Sequence, residues 1–216
     1  YIDMLSETGV IPVVQSKWFA TVVVESPDST VAEQLQQLAI VDSVKWIWKG
    51  NLRVPAEEKG EDRFVPEDEP LCNEYGYAHK QIKMLNGTKL HEAGFQGEGM
   101  RVAVIDAGFM NADRISAFDS LRLLGTHNVV FPGKSVFVGD DHGTKVLSCL
   151  AADIPGVMVG TAPKASYLLL KSEDSDSEYP IEEDYWTAAV EYADSAGVDV
   201  ISSSLGYFAF DADELS

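Results

Sequence analysis

An aspartate at the end of an apolar run and a histidine 36 residues further on are the side chains in this sequence best suited to moving a proton. The first stands in Val102-Ala-Val-Ile-Asp106-Ala-Gly108, the second in Asp140-Asp-His142-Gly-Thr144. Four apolar residues carry Asp106 out of a buried strand, and Gly108 lets the backbone leave tightly. An imidazole titrates near neutrality. Held at the first turn of a helix beside the small Gly143 and the hydroxyl of Thr144, His142 is placed to act as a general base. A carboxylate at a strand end can orient such an imidazole, or it can simply cap a helix or form a turn. Asp140, Asp141 and His142 also allow a metal reading, although a metal site needs three or more converging ligands and no second His stands near in sequence. Ser202, Ser203 and Ser204 close another apolar run, where hydroxyls either cap the strand or border a cleft.

The elements that must position these groups follow from periodicity. Over 75–216 the sequence predicts helices at Gln81–Ala93, Gly143–Ala152 and Glu182–Ser195, the last with Trp186, Ala189, Val190 and Ala193 on one face and Gly197 at its end. Between them Val102–Ile105, Tyr167–Leu170 and Val198–Ser202 are short apolar runs without alternation, as in buried strands. The fold class is therefore α/β, a parallel sheet with helices on both faces, whose working groups sit at the carboxyl ends of strands.

Residues 1–54 predict a small α+β domain. A helical segment around Ile2 and Leu5 turns at Gly9, and strands follow over Val10–Val14 and Trp18–Val24. Thr30-Val-Ala-Glu33 has the pattern of a capping box opening a helix with Val31, Leu35 and Leu38 on one side, and Val44–Trp48 is a third apolar run. Residues 55–74 form an acidic linker, with Glu57, Glu58, Glu61, Asp62, Glu67, Asp68 and Glu69 facing only Lys59 and Arg63.

Composition excludes several function classes. With 35 acidic and 16 basic residues the formal charge is -19, which repels phosphate backbones, so no nucleic-acid partner is expected. No run approaches the roughly 20 apolar residues of a membrane-spanning helix, so no membrane span is expected. The sequence opens at Tyr1 without a basic-then-apolar leader, which implies a targeting peptide removed or left out. Cys72 and Cys149 match no zinc spacing and are expected as free thiols.

Four motifs in order, Val-Ile-Asp106-Ala-Gly, Asp-His142-Gly-Thr, Gly160-Thr-Ala-Pro163 and Ser203-Ser-Leu-Gly206, resemble those of the subtilisin-like serine proteases. The resemblance implies an Asp-His-Ser triad in which His142 takes a proton from a serine hydroxyl while Asp106 holds the imidazole. It implies that Ser203, Ser204, Leu205 and Gly206 border the bound peptide, whose main chain pairs with this segment. The Gly-Thr-Ser motif expected for the nucleophile and the oxyanion-hole Asn do not occur in this sequence, so the resemblance implies that they belong to the remainder of the catalytic domain, on another segment or chain, and that this chain alone is inactive.

The front of the sequence, Trp18–Val24 through Val44–Trp48, resembles an inhibitor-type propeptide that lacks its first strand, with Lys49–Pro55 as its cleft-blocking tail. The implied protein is a secreted or cell-envelope endopeptidase zymogen, comprising propeptide, linker and the N-terminal half of an incomplete subtilisin-like domain (75–216), and acting on peptide or protein substrates without cofactors. Asp153-Ile-Pro-Gly156 offers a single carboxylate, so no calcium is expected there, and no metal elsewhere. Two rival readings remain: a non-catalytic peptide- or protein-binding module with Asp106 and His142 as relics, and a metal-dependent hydrolase around Asp140, Asp141 and His142.

Overall fold

The computed structural model describes residues 1–47 and 73–207. Cys72, the tail Lys49–Pro55 and nearly all of the acidic linker fall outside the described residues.

The N-terminal unit begins with α1 (Ile2–Ser6), followed by an antiparallel hairpin of β1 (Ile11–Ser16) and β2 (Thr21–Glu25) and by α2 (Val31–Gln36). Leu5, Val10, Val31 and Leu35 form its core, with Val22, Val24, Leu38, Val41 and Val44 around them. Two expectations need correction. Thr30 does not build a capping box: Asp28 accepts hydrogen bonds from both the Thr30 amide and its hydroxyl, each at 2.8 Å, so the hydroxyl is already engaged. Nor do Val44–Ile47 form a strand, because among the described residues the only pairing in this unit is the β1–β2 ladder; Trp48, the last residue of that run, lies outside the described residues. Their apolar side chains serve packing instead, Val44 in the small core and Ile47 against the larger unit.

In the larger unit the expected helix over 81–93 is two, α3 (His79–Met84) and α4 (Gly87–Glu92). The break lies at Asn86, which takes the left-handed conformation at φ 57°, tolerated by Asn better than by most residues. β3 (Arg101–Asp106) follows, then a single 3₁₀ turn (Ser116–Phe118), β4 (Arg122–Asn128), α5 (His142–Ala151), the two-residue strands β5 (Asp153–Ile154) and β6 (Met158–Val159), β7 (Ser166–Lys171), α6 (Ile181–Ser195) and β8 (Val200–Ser203).

The main sheet is parallel and four-stranded, in the order β4-β7-β3-β8. Alternation along its two central strands divides the core. Val102, Val104, Tyr167 and Leu169 face α5 through Leu147 and Ala151, together with Phe109 and Phe118. Ala103, Ile105, Leu168 and Leu170 face the other way, onto Ile181, Tyr185, Ala189 and Ala193 of α6. Helices therefore cover both faces, as a parallel sheet requires. β8 departs from the expectation of a third buried strand: Val200 and Ile201 are 51% and 37% exposed, since among the described residues β8 pairs only with β3 and forms one edge of the sheet.

The two units meet on α6. Val13, Val14 and Val23 of the hairpin, with Ile47, pack against the same cluster as Tyr185 and Ala189. One carboxylate anchors the contact. Glu191 accepts from the Ser16 hydroxyl at 2.5 Å and from the amides of Lys17 and Trp18 at 2.9 and 3.0 Å. Burial acts to raise the Glu191 pKa, but these hydrogen bonds outweigh it and hold the carboxyl below its ordinary value.

Candidate active site

The register of the sheet brings three groups to one end. Asp106 pairs with Lys171 across β3 and β7, and Ile105 pairs with Ser203 across β3 and β8, so the carboxylate, the ammonium and the serine segment share the carboxyl edge. Since α5 and α6 cover opposite faces, that edge is where a doubly covered parallel sheet opens its crevice.

α5 delivers His142 to this edge. The His142 amide donates to Asp140 Oδ1 at 2.6 Å, which fixes the turn into the helix, and the Thr144 hydroxyl donates to the Met110 carbonyl at 2.9 Å. Gly143 is required by close approach: a Cβ there would lie 2.4 Å from the Gly108 carbonyl oxygen and 2.9 Å from Asp106 Cβ. The helix can therefore touch the end of β3. Its far end is held by the Gly160-Thr-Ala segment, whose amides donate to the carbonyls of Ala152, Cys149 and Leu150 at 2.8 to 3.0 Å, satisfying acceptors the helix itself leaves open.

The result is a hydrogen bond of 2.8 Å from His142 Nδ1 to Asp106 Oδ1, which also accepts from the Ala107 amide at 2.8 Å. Asp106 is fully buried, whereas the His142 side chain stays 52% exposed toward the crevice. Burial pushes the Asp106 carboxyl above its ordinary range, opposed by the hydrogen bond from His142. The same hydrogen bond, with the charges of Asp106, Asp140 and Glu173, raises the His142 pKa against its partial burial. An imidazole fixed through Nδ1 presents Nε2 outward, able to take a proton from a neighbouring hydroxyl.

The acidic neighbours of His142 face other partners. Asp140 binds the His142 amide, and Asp141 Oδ1 pairs with Lys145 Nζ at 2.7 Å along the helix. Among the described residues no three His, Cys, Asp or Glu side chains converge as a metal site. Asp153 pairs with Lys164 Nζ at 2.6 Å, and Cys149 is an exposed free thiol. In the serine segment, Ser203 Oγ accepts from the Trp186 indole at 2.9 Å, tying β8 to α6, while Leu205 packs beneath on the α6 side of the core.

Sequence reasoning passed over a second group of side chains at this edge. Burial and neighbouring acids push the Glu173 carboxyl up to about 7 and that of Glu182 up to about 8. Lys171, buried at the end of β7, donates from Nζ to the Ala107 carbonyl. The signals were present: the acidic run from Glu173 to Glu178 follows β7 directly, and Glu182 stands four residues before Trp186 on the expected apolar face of α6.

The central sheet, its helical cover and the residues at its carboxyl edge define an incomplete subtilisin-like α/β fold, and the chain belongs to the subtilisin-like serine proteases. It is 32% identical to subtilisin E of Bacillus subtilis over 150 residues, covering 66% of this chain and 36% of that protein. It is 28% identical to a thermostable alkaline protease of Halalkalibacterium halodurans over 126 residues, covering 58% and 33% of the two chains. The chain thus spans about a third of the length of the curated relatives it matches. In fold it is similar to fervidolysin of Fervidobacterium pennivorans, a keratinolytic enzyme related to subtilisin, with a TM-score of 0.57 at 16% identity over 93% of this chain and 33% of that one. No family model matches the sequence.

Proposed function

We propose that the whole protein is a serine endopeptidase made as a zymogen, with Asp106 and His142 as the first two members of its triad. The observation that carries the reading is the 2.8 Å bond from His142 Nδ1 to the buried Asp106. In this arrangement a serine hydroxyl from outside this chain gives its proton to His142 Nε2 as its oxygen attacks the peptide carbonyl. The imidazolium then returns the proton to the departing amine. Asp106 keeps the imidazole in the productive tautomer and stabilises its protonated form. Ser203, Ser204, Leu205 and Gly206 pair with the main chain of the substrate.

The N-terminal unit, 1–54, serves as an inhibitor-type propeptide, 55–74 as the linker containing the processing region, and 75–216 as the N-terminal half of the catalytic domain. Its docking on α6 supports that division, as does the approach of Ile47 to the cluster that also seats Leu205. The exposed edge of β8 suits completion of the sheet by the remainder of the catalytic domain. No helix among the described residues is long and apolar enough to cross a membrane, and a secreted or cell-envelope location fits a protease with this ancestry.

A fluorophosphonate probe applied to the full-length protein above the His142 pKa tests the reading. Labelling that disappears in His142→Ala is the expected result. A protein that stays unlabelled after removal of its N-terminal unit would instead favour a non-catalytic binding module.

A further inference from the structure

One buried cation lies beside the dyad without a part in its proton transfer. Among the described residues Lys171, at the end of β7, is the one lysine or arginine that is buried, and it is the register partner of Asp106. Side chains alternate along a strand, so Val102, Val104 and Asp106 share the face of β3 that packs against α5, and Tyr167, Leu169 and Lys171 share the matching face of β7. α5 carries His142 to that same face, which sets carboxylate, ammonium and imidazole on one side of the sheet. From β4 the partner of Lys171 is Asn128, whose side-chain oxygen is turned to the Phe131 amide.

The contacts of Lys171 converge on the residue after Asp106. Its Nζ donates to the Ala107 carbonyl, and the Ala107 amide donates to Asp106 Oδ1 at 2.8 Å. The Ser172 amide donates to the Asp106 carbonyl at 3.1 Å, so the end of β7 grips two successive carbonyls of the chain that bears the carboxylate. Oδ1 is thereby held between Ala107 and His142, whereas Oδ2 is buried with no hydrogen-bond partner among the described residues. A fully buried carboxylate served on one oxygen needs a counter-charge to stay ionised. The surroundings otherwise add negative charge: Asp140 ahead of α5, and Glu173, Asp174 and Asp176 after β7, with Glu178 and Glu182 beside Glu173. Lys145, the cation on α5, is committed to Asp141. Burial pulls the Lys171 pKa below its ordinary value, opposed by Asp174, Asp140, Asp176 and Glu173.

We propose that Lys171 is a positioning residue for the dyad: its ammonium clamps Ala107, whose amide holds Asp106 Oδ1, and supplies the buried positive charge that keeps the carboxylate ionised beside a neutral imidazole. The inference rests on the reading of Asp106 and His142 as members of a triad. A general base must be neutral to accept a proton. Asp106, Asp140 and Glu173 all favour the imidazolium, and a cation on the same face of the sheet offsets them. Lys171 acts through Ala107 and through its field, not by exchanging a proton.

The test reads the imidazole directly, in the full-length protein. In Lys171→Met the His142 titration followed by NMR should move up by about one pH unit, the size of losing a nearby like charge. After removal of the N-terminal unit, the acid limb of kcat/KM should move with it, so that cleavage below the limb falls about tenfold. Lys171→Arg should leave the titration in place and recover most of the cleavage, since the charge remains. A lysine with a purely structural role would lower the Tm in the Met variant without moving the titration. An unmoved titration in folded Lys171→Met therefore overturns the proposal, and leaves the protease reading intact where a fluorophosphonate still labels the unaltered protein. If Lys171→Met does not fold, the unaltered protein decides: the Lys171 Nζ resonance should inflect at the pH where His142 titrates, because the coupling is reciprocal, and a flat trace overturns the proposal. An unaltered protein that takes no label, with the titration shift present, sinks the protease reading and keeps the clamp.

Discussion

The two units of this chain solve the same problem with different means. The larger one encloses its central strands between two helices, and its core draws on both faces of one sheet. The smaller one has four buried apolar side chains of its own and a two-stranded hairpin that could not stand alone in water. It completes its burial on α6, laying Val13, Val14 and Val23 against a helix that already belongs to another core. One unit closes its own core and the other depends on its neighbour to complete its burial.

The largest expected effect separates work from support. In the full-length protein His142→Ala should lower turnover by about 10⁶-fold and Asp106→Asn by about 10⁴-fold, the sizes found when members of a serine-protease triad are removed. Both variants should keep the units docked. Release of the N-terminal unit by either would break the contrast between them.

Next in size, Gly143→Ala drives a methyl group into the Gly108 carbonyl and Asp106. It should cost roughly 1–3 kcal/mol, visible as a lowered Tm of the larger unit, with a longer His142–Asp106 separation. An unchanged Tm would mean that α5 is less tightly seated against β3 than the distances require.

Glu191→Ala removes the acceptor of three hydrogen bonds at the junction. Being near the surface, the loss should be about 1 kcal/mol, roughly fivefold in the docking equilibrium, and should leave the Tm of the larger unit unchanged once the N-terminal unit is removed. Proteolysis of the N-terminal unit should speed up by a similar factor. No change in its protection would locate the docking energy wholly in the valines.

A titration sharpens the picture of the dyad. The Asp106 bond raises the His142 pKa above 6.5, so the pair's contribution to stability is complete below about 6.5 and is lost as pH rises through the folded value. Ionised Asp106 in its buried setting opposes this, since burial raises its own pKa above 3.8. An NMR titration of the imidazole should give a value above 6.5 that falls in Asp106→Asn, and peptide cleavage should decline as pH drops through the same value.

Where a residue's role depends on its own period, the sequence was legible. Val102–Ile105 and Tyr167–Leu170 are apolar throughout because both faces of the sheet are covered, and α6 shows its buried stripe at every third or fourth residue. Asp106 and His142 could be singled out because each ends or begins such an element. What depends on neighbours was not legible. Val200 and Ile201 have the composition of interior residues yet lie at an edge, since composition does not say how many strands follow. β4, with Gly125 and Asn128 in it, has too mixed a pattern to stand out. The acids Glu173 and Glu182 resemble solvent-facing charge until the fold turns them inward.

Helix α5 is fixed at both ends, by the contact of Gly143 with β3 and by the amides of Gly160, Thr161 and Ala162 at its last carbonyls. A ring mounted on such a beam has little left to search. The entropy of orienting the imidazole, on the order of 1 kcal/mol for a side chain, is lost once, when the chain folds, and does not recur at each encounter with a substrate. Loosening the far end, at Gly160–Ala162, should therefore appear as a more unfavourable activation entropy with the hydrogen-bond distance nearly intact, so an Arrhenius series would detect damage that a static structure overlooks.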